Sequence, residues 1–303
     1  MNYTKKSKQK TTAWKGKVSV FSISVWIFMI VWVAIFLTML GWGILTSVKD
    51  INYYWFDPVG FPKQKAQWAF SNYTIAFKSM KIKTSNGWVF FPGMLKNTLF
   101  YVIVFGLLHI ISPMLCSYVY AKYSKRIKWT KLLWLIVLIN LYVPLSASLG
   151  ASLDFAMKLG IYDNIYAYTI CALNGFGPNF LIYYATWKGV SWEYAEAAFM
   201  DGASDFSVML KIMFPMTATV FGVLFITQVI ALWSDYQSPM LYLPSFPTLA
   251  YGVYTFQSNV ESGASAVPIK IASLIAVAVP MMLIFIAFKD KMMGSLTLGG
   301  LKG

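Results

Sequence analysis

Charge is scarce in this sequence, and acid is scarcer than base. Of 303 residues, 12% are charged, with 11 acidic residues against 25 basic ones. A water-soluble domain carries about twice that charged fraction. There is one histidine, His109, and there are two cysteines, Cys116 and Cys171. Two thiols in apolar contexts exclude a disulfide framework and a cysteine metal site, and read as small buried hydrophobes. The pattern G-x-x-x-x-G-K-[S/T], which cradles nucleotide phosphates, is absent. No grouping of nucleophile, base and acid reads as catalytic. We therefore expect no catalytic residue, no metal and no cofactor in this chain.

What is abundant is apolar surface and lysine. Hydrophobic residues make up 58% of the chain and the net charge is +14; the mean hydropathy is +0.60. A nucleic-acid binder explains the charge but not the hydropathy, so nucleic acid is not an expected partner. A membrane protein with basic cytoplasmic segments explains both. Crossing a bilayer as a helix takes about 20 apolar residues. No charged residue occurs from Val18 to Val48, and the preceding MNYTKKSKQKTTAWKGK holds six lysines and no acid. A signal peptide also starts basic, but its apolar region is only about 7–15 residues long. The run reads as a retained first span entered from the cytoplasm.

Hydropathy marks six spans, near 20–47, 97–120, 132–150, 164–187, 212–235 and 267–288. The predicted fold is an all-α, polytopic membrane protein with six transmembrane helices. An even number puts both termini on one face, and the basic residues name it. The N-terminal tail, the AKYSKRIKWTK segment after the second span and the C-terminal end are all basic, so both termini are expected in the cytoplasm. Against this, the first outer loop, 49–96, holds seven lysines; the rule weakens for long translocated segments. That loop is rich in aromatic residues and proline and is expected to fold on the membrane surface. The organisation is thus a basic tail over 1–18, a first helix and long outer loop over 19–96, a five-helix core over 97–289, and a tail over 290–303.

With this topology the densest acidic cluster falls between the fourth and fifth spans, on the cytoplasmic side. It reads SWEYAEAAFMDGASDFSVMLKIMFP from 191 to 215. Ser191 can cap a helix whose first turn carries Glu193. Tyr194, Ala197, Ala198 and Asp201 recur at i, i+3, i+4 and i+7 and are expected to share a face, with Glu196 on its shoulder. Asp201-Gly202 reads as a helix stop. Ser204 can cap a second short helix ending at Lys211, and Pro215 then sits in the first turn of the fifth span. Physics alone leaves two readings of this loop. Either its acids are simply solvated, or it is a slim docking helix whose Glu196 seeks an arginine.

The loop resembles a known motif. Glu196-Ala197-Ala198, three residues, Gly202, nine residues and Ile212-Met213-Phe214-Pro215 match the spacing of the EAA motif. That motif marks the membrane subunits of binding-protein-dependent ABC importers; Phe214 stands where leucine is usual. EAAFMDGAS also resembles the extended form found in sugar permeases. SNYTIAF at 71–77, Asn97-Thr98, Trp233 with Asp235 and Pro239, Pro247-Thr248-Leu249, Pro280 and the closing LTLGGLKG fit the same carbohydrate-uptake family, similar to the smaller maltose-transporter permease. Ser234 stands where asparagine is common. Prolines often found before the EAA helix and after Pro215 are missing, and we expect altered local geometry there.

The resemblance implies the MetI-like architecture of a type I ABC importer permease in a bacterial plasma membrane. It implies a second permease subunit, an ABC ATPase dimer that binds ATP and Mg, an extracytoplasmic sugar-binding protein, a carbohydrate substrate and surrounding lipid. The loop 189–211 would dock into the ATPase through Tyr194, Glu196, Ala197, Ala198 and Asp201, with Gly202 permitting the turn. Gly300, Lys302 and Gly303 of the C-terminal tail would also reach the ATPases. Polar or aromatic groups in or beside spans are candidates for the sugar path: Asn140, Tyr142, Gln228, Trp233 and Asp235. Each has an alternative role in helix–helix hydrogen bonding or interfacial anchoring. His109 has no acid near it in sequence and reads as a helix–helix hydrogen bond. Two other functions fit the composition, an ion-coupled secondary transporter and a membrane scaffold without transport. The first would show internal repeats and buried charges near the midplane, and neither is evident.

Overall fold

In the computed structural model, residues 19–126, 128–143, 149–258 and 266–298 are described. The tail at 1–18 and Gly300, Lys302 and Gly303 lie outside them. Among the described residues, four helices are long and apolar enough to cross a membrane: Val20–Ser47, Phe91–Tyr123, Asp205–Ser234 and Val267–Lys289. The last belongs to a helix that runs on to Leu298.

Val20–Ser47 is apolar all round, and only its C-terminal end is buried. At 1.5 Å per residue its 28 residues reach about 42 Å, beyond the ~30 Å hydrocarbon thickness. Ser24 and Thr38 bond back within the helix: Ser24 Oγ donates to the Val20 carbonyl at 3.0 Å, and Thr38 Oγ1 to Ala34 at 2.7 Å. That is how hydroxyls are tolerated where no water is available.

The third and fourth spans differ from expectation. The third appears as Thr130–Tyr142, 13 residues long, or about 20 Å. A separate helix, Leu149–Lys158, follows. The fourth is broken. Ile165–Tyr168 and a 3₁₀ turn, Thr169–Ala172, lead through Gly175 and Gly177 into Pro178–Gly189. Gly177 is extended, and Pro178 opens the new helix, where its missing N–H costs nothing. Hydropathy sees only the apolar average and passes over the break.

The segment 49–96, expected on the outer face, is folded. It contains helices Ile51–Phe56 and Ser71–Ser79 and an antiparallel hairpin pairing Lys81–Thr84 with Gly87–Phe90. Asn72, nearly inaccessible, donates from Nδ2 to the carbonyls of Ser47 and Lys49 at 2.9 and 2.8 Å. The Tyr73 and Ser47 hydroxyls lie 2.8 Å apart. The Asn-Tyr pair therefore grips the end of the first helix, satisfying carbonyls that a helix terminus leaves open. Lys49 is fully buried, donating to the Pro58 carbonyl at 2.8 Å. Burial holds its pKa below the ordinary lysine value, with Asp57 opposing. One of the seven lysines is thus an internal strut rather than surface charge.

Polar contacts collect at two opposite ends. At one, Asn97 Nδ2 donates to the Pro247 carbonyl at 3.1 Å, and Leu249 N donates to Thr98 Oγ1 at 2.8 Å. Beside them Asp163 accepts from Ser245 N and Oγ at 2.8 and 2.6 Å, and the Ser85 hydroxyl meets Ser245 Oγ at 2.6 Å. At the other, Lys122 Nζ donates to the Val190 carbonyl at 2.6 Å, and Tyr123 Oη to Asp205 at 2.5 Å. The two hydrophobic cores follow this division. One gathers Tyr101, Phe105, Trp233 and Phe256, and the other gathers Tyr118, Trp187, Ala195 and Met213.

Candidate functional site

The acidic loop opens with the helix Glu193–Met200. Its stop is a Schellman turn. Ala203 N donates to the Ala198 carbonyl and Gly202 N to Phe199, both at 3.0 Å. Gly202 takes φ +84°, a left-handed conformation that side chains with a Cβ adopt at a cost. Ser204 Oγ accepts from Ser207 N at 3.3 Å and starts the next helix.

That next helix does not end at Lys211. It runs from Asp205 through Ser234 as one body. A π-helical turn, Met209–Met213, joins its first turn to the long apolar part. Proline within a helix clashes with the carbonyl four residues earlier. For Pro215 that residue is Lys211, inside the wide turn. The chain accommodates Pro215 by widening rather than breaking, so the segment from Asp205 is continuous with the long apolar helix.

Burial sorts the loop residues. Ala195 and Ala198 face inward, against a core that includes Tyr118, Tyr183, Trp187 and Met213. Glu193, Glu196, Ala197 and Met200 form the exposed stripe at i, i+3, i+4 and i+7. Ala198 is therefore a packing residue, and the outward stripe is centred one step away from the face expected from spacing. Tyr194 and Asp201 are exposed at its margin. Met200 is 88% exposed, Phe206 67% and Tyr194 53%, an apolar rim around two carboxylates. Asp205, by contrast, is tied down by Tyr123. The Tyr123 and Trp192 rings meet edge-on at 5.6 Å, and Lys122 lies 5.8 Å from the centre of the Trp192 ring. The end of the second span thus holds the loop from beneath.

A second constellation lies toward the opposite end. A cavity of about 410 Å³ is lined by residues that include Tyr101, His109, Tyr168, Gln228, Asp235 and Ser238. Tyr101, Phe105 and His109 reach it from one helix face, i, i+4 and i+8, and a π-helical turn at Tyr101–Phe105 sets that face. Such turns occur often at functional sites. Asp235 accepts from Tyr101 Oη at 2.9 Å and from Ser238 N at 3.0 Å. His109 Nδ1 lies 2.9 Å from the Phe105 carbonyl, to which it donates, leaving Nε2 for other partners.

Of the sugar-path candidates, the structure brings Gln228 and Asp235 together here. Trp233 is buried elsewhere, its Nε1 donating to the Val277 carbonyl at 3.0 Å and bracing the final long helix. Asn140 and Tyr142 stand on the Thr130–Tyr142 helix and do not line the cavity; Tyr142 is 82% exposed. Sequence reasoning missed Tyr101, Tyr168 and Ser238 and set His109 aside. The i, i+4 spacing of Tyr101, Phe105 and His109 was the available signal.

No protein-family model matches the chain. Curated relatives do. The chain is 28% identical over 210 residues to the maltodextrin transport system permease protein MdxG of Bacillus subtilis, covering 68% of this chain and 74% of that one. It is 25% identical over 210 residues to the arabinooligosaccharides transport system permease protein AraQ of Halalkalibacterium halodurans, covering 68% and 73%. It is 22% identical over 281 residues to the diacetylchitobiose uptake system permease protein NgcG of Streptomyces coelicolor, covering 89% and 86%. The fold is that of a chain in the crystal structure of a bacterial ABC transporter involved in the import of the acidic polysaccharide alginate. The TM-score is 0.71 at 17% identity, over 89% of this chain and 96% of that one. The chain is thus similar to the permease proteins of sugar ABC transporters.

Proposed function

We propose that this chain is a pore subunit of an ATP-driven carbohydrate importer, with MetI-like architecture, six spans and both termini in the cytoplasm of a bacterium. Likeness to sugar permeases along most of the chain supports the class. The observation that carries the mechanism is the exposed stripe Glu193-Glu196-Ala197-Met200 on a helix fixed from beneath. Among the described residues, Glu196 has no ion-pair partner of its own. An arginine in a cleft of an ABC ATPase completes it, with Ala197 leaving room for close approach and Tyr194, Met200 and Phe206 supplying an apolar rim.

The coupling follows from rigidity. The Schellman turn at Gly202 and the continuous helix from Asp205 transmit a push on the docked helix into the fifth span. ATP and Mg bind the partner ATPase, whose closure moves two docked permeases together. The pore then passes from inward-open to outward-open by motion of rigid bodies. An extracytoplasmic sugar-binding protein delivers the carbohydrate, and a second permease forms the other half of the pore.

The test is a pull-down of tagged protein from native membranes in mild detergent, with co-purifying chains identified by mass spectrometry. An ABC ATPase and a second permease are expected, and Glu196→Lys is expected to lose the ATPase while retaining the permease. Recovery without any ATPase from well-preserved membranes overturns the reading.

A further inference from the structure

The reading of the polar cavity as a sugar subsite rests on the importer function proposed above. Its volume of about 410 Å³ lies at the lower end of the ~300–1,000 Å³ range of small-molecule sites. Sugars present hydroxyls around an apolar ring face, so their sites combine acceptors and donors with aromatic walls. Gln228, Ser238, Asp235 and His109 supply the polar groups. Tyr101, Phe105 and Tyr168 supply rings already packed on one another, at 4.6 Å between the first two and 5.5 Å between the last two. Ordered rings lose little freedom when a ligand docks.

The charge balance decides the class of sugar. Among the described residues, Asp235 is the one carboxylate in the lining, and no lysine or arginine lines the cavity. Each Asp235 oxygen already accepts one hydrogen bond, from Tyr101 Oη and from Ser238 N, and each has a further lone pair. A hydroxyl or an ammonium can donate to it. A uronate carboxylate there meets a like charge with no lysine or arginine to compensate, which disfavours it. We propose that this cavity is a saccharide subsite on this chain, taking neutral or amino-sugar units and rejecting uronates.

The chain carries its own reporter. Cys171, expected from the sequence as a buried hydrophobe, is instead exposed and lines the cavity. The intact complex, carrying Cys116→Ser, is placed in lipid nanodiscs and Cys171 is labelled with a hydrophilic methanethiosulfonate. Maltotriose, the glucosamine disaccharide and digalacturonate compete with the label. A saccharide present at twice its Kd slows labelling about threefold. Maltotriose and the glucosamine disaccharide are expected to protect, and digalacturonate is not. Gln228→Ala is expected to raise the protecting concentration of both, and Asp235→Asn to abolish any advantage of the amino sugar over maltotriose.

Protection by none of the three, or protection by digalacturonate equal to the others, overturns the proposal. ATPase co-purification is read on the same preparation. With the ATPase present, absent protection rejects the subsite alone; with the ATPase absent, the importer reading falls, and the subsite with it.

Discussion

The Tyr101 hydroxyl donates to Oδ2 of Asp235 at 2.9 Å, joining residues 134 positions apart. It ties the Phe91–Tyr123 helix to the end of the Asp205–Ser234 helix in the wall of the polar cavity. Asp235 holds the start of the Gln237–Tyr242 helix with its other oxygen, through Ser238 N. One carboxylate therefore fixes a helix, a turn and an aromatic wall together. Tyr101→Phe keeps the ring and removes the donor. A hydrogen bond to a charged group contributes about 1.5–3 kcal/mol. Thermal unfolding of the solubilised complex should register a loss of that size, and sugar uptake should show a raised KM.

The neighbouring alanines of the acidic loop should respond in opposite ways. Ala198 is buried against the core, so Ala198→Leu overpacks it at a cost of about 1–3 kcal/mol. Ala197 faces outward. Ala197→Leu should leave the melting temperature unchanged and weaken ATPase retention in the pull-down. Equal thermal effects of the two changes contradict the orientation of the helix.

Gly202 at φ +84° ends the Glu193–Met200 helix. A side chain with a Cβ in that region costs about 1–2 kcal/mol, while open space around the glycine adds no steric clash. Gly202→Ala should lower stability by that amount, and Gly202→Asn by less, because asparagine tolerates the left-handed region. Thermal melts of the three proteins, side by side, make the comparison.

Asn72 spans from the 49–96 loop to the end of the first helix with two hydrogen bonds. Asn72→Ala leaves the Ser47 and Lys49 carbonyls without these donors in a buried place, at about 1–3 kcal/mol. The expected outcome is faster proteolysis within 49–96 in intact vesicles of outward orientation, with ATPase retention unaffected.

Much of the acidic loop was legible because it depends on local rules. The glycine stop, the serine cap before Asp205 and the acidic first turn are set by residues a few positions apart. The centre of its exposed stripe was not legible. Spacing fixes which residues share a face, but which face turns inward depends on Tyr118, Tyr183 and Trp187, from other helices. The same limit applies to the sugar-path candidates. Gln228 and Asp235 were visible as polar groups in or beside an apolar span, and so was Trp233, yet only packing separates the first two from the third.

The amino-acid sequence by itself determined that the chain is apolar enough for a membrane, and where its longest spans run. It also determined that a glycine-stopped acidic helix precedes the fifth span, because hydropathy and capping act over a few residues. Tertiary structure alone decided the rest. It brought Asn97 and Thr98 to Pro247 and Leu249, buried Lys49 as a strut, and closed Tyr101, His109, Tyr168 and Asp235 around one cavity. Except for the Lys49 strut, these pairings join residues far apart in the chain, 150 positions for Asn97 and Pro247 and 151 for Thr98 and Leu249. Their partners are chosen by which helices pack together, and by the wide turns that re-aim their side chains.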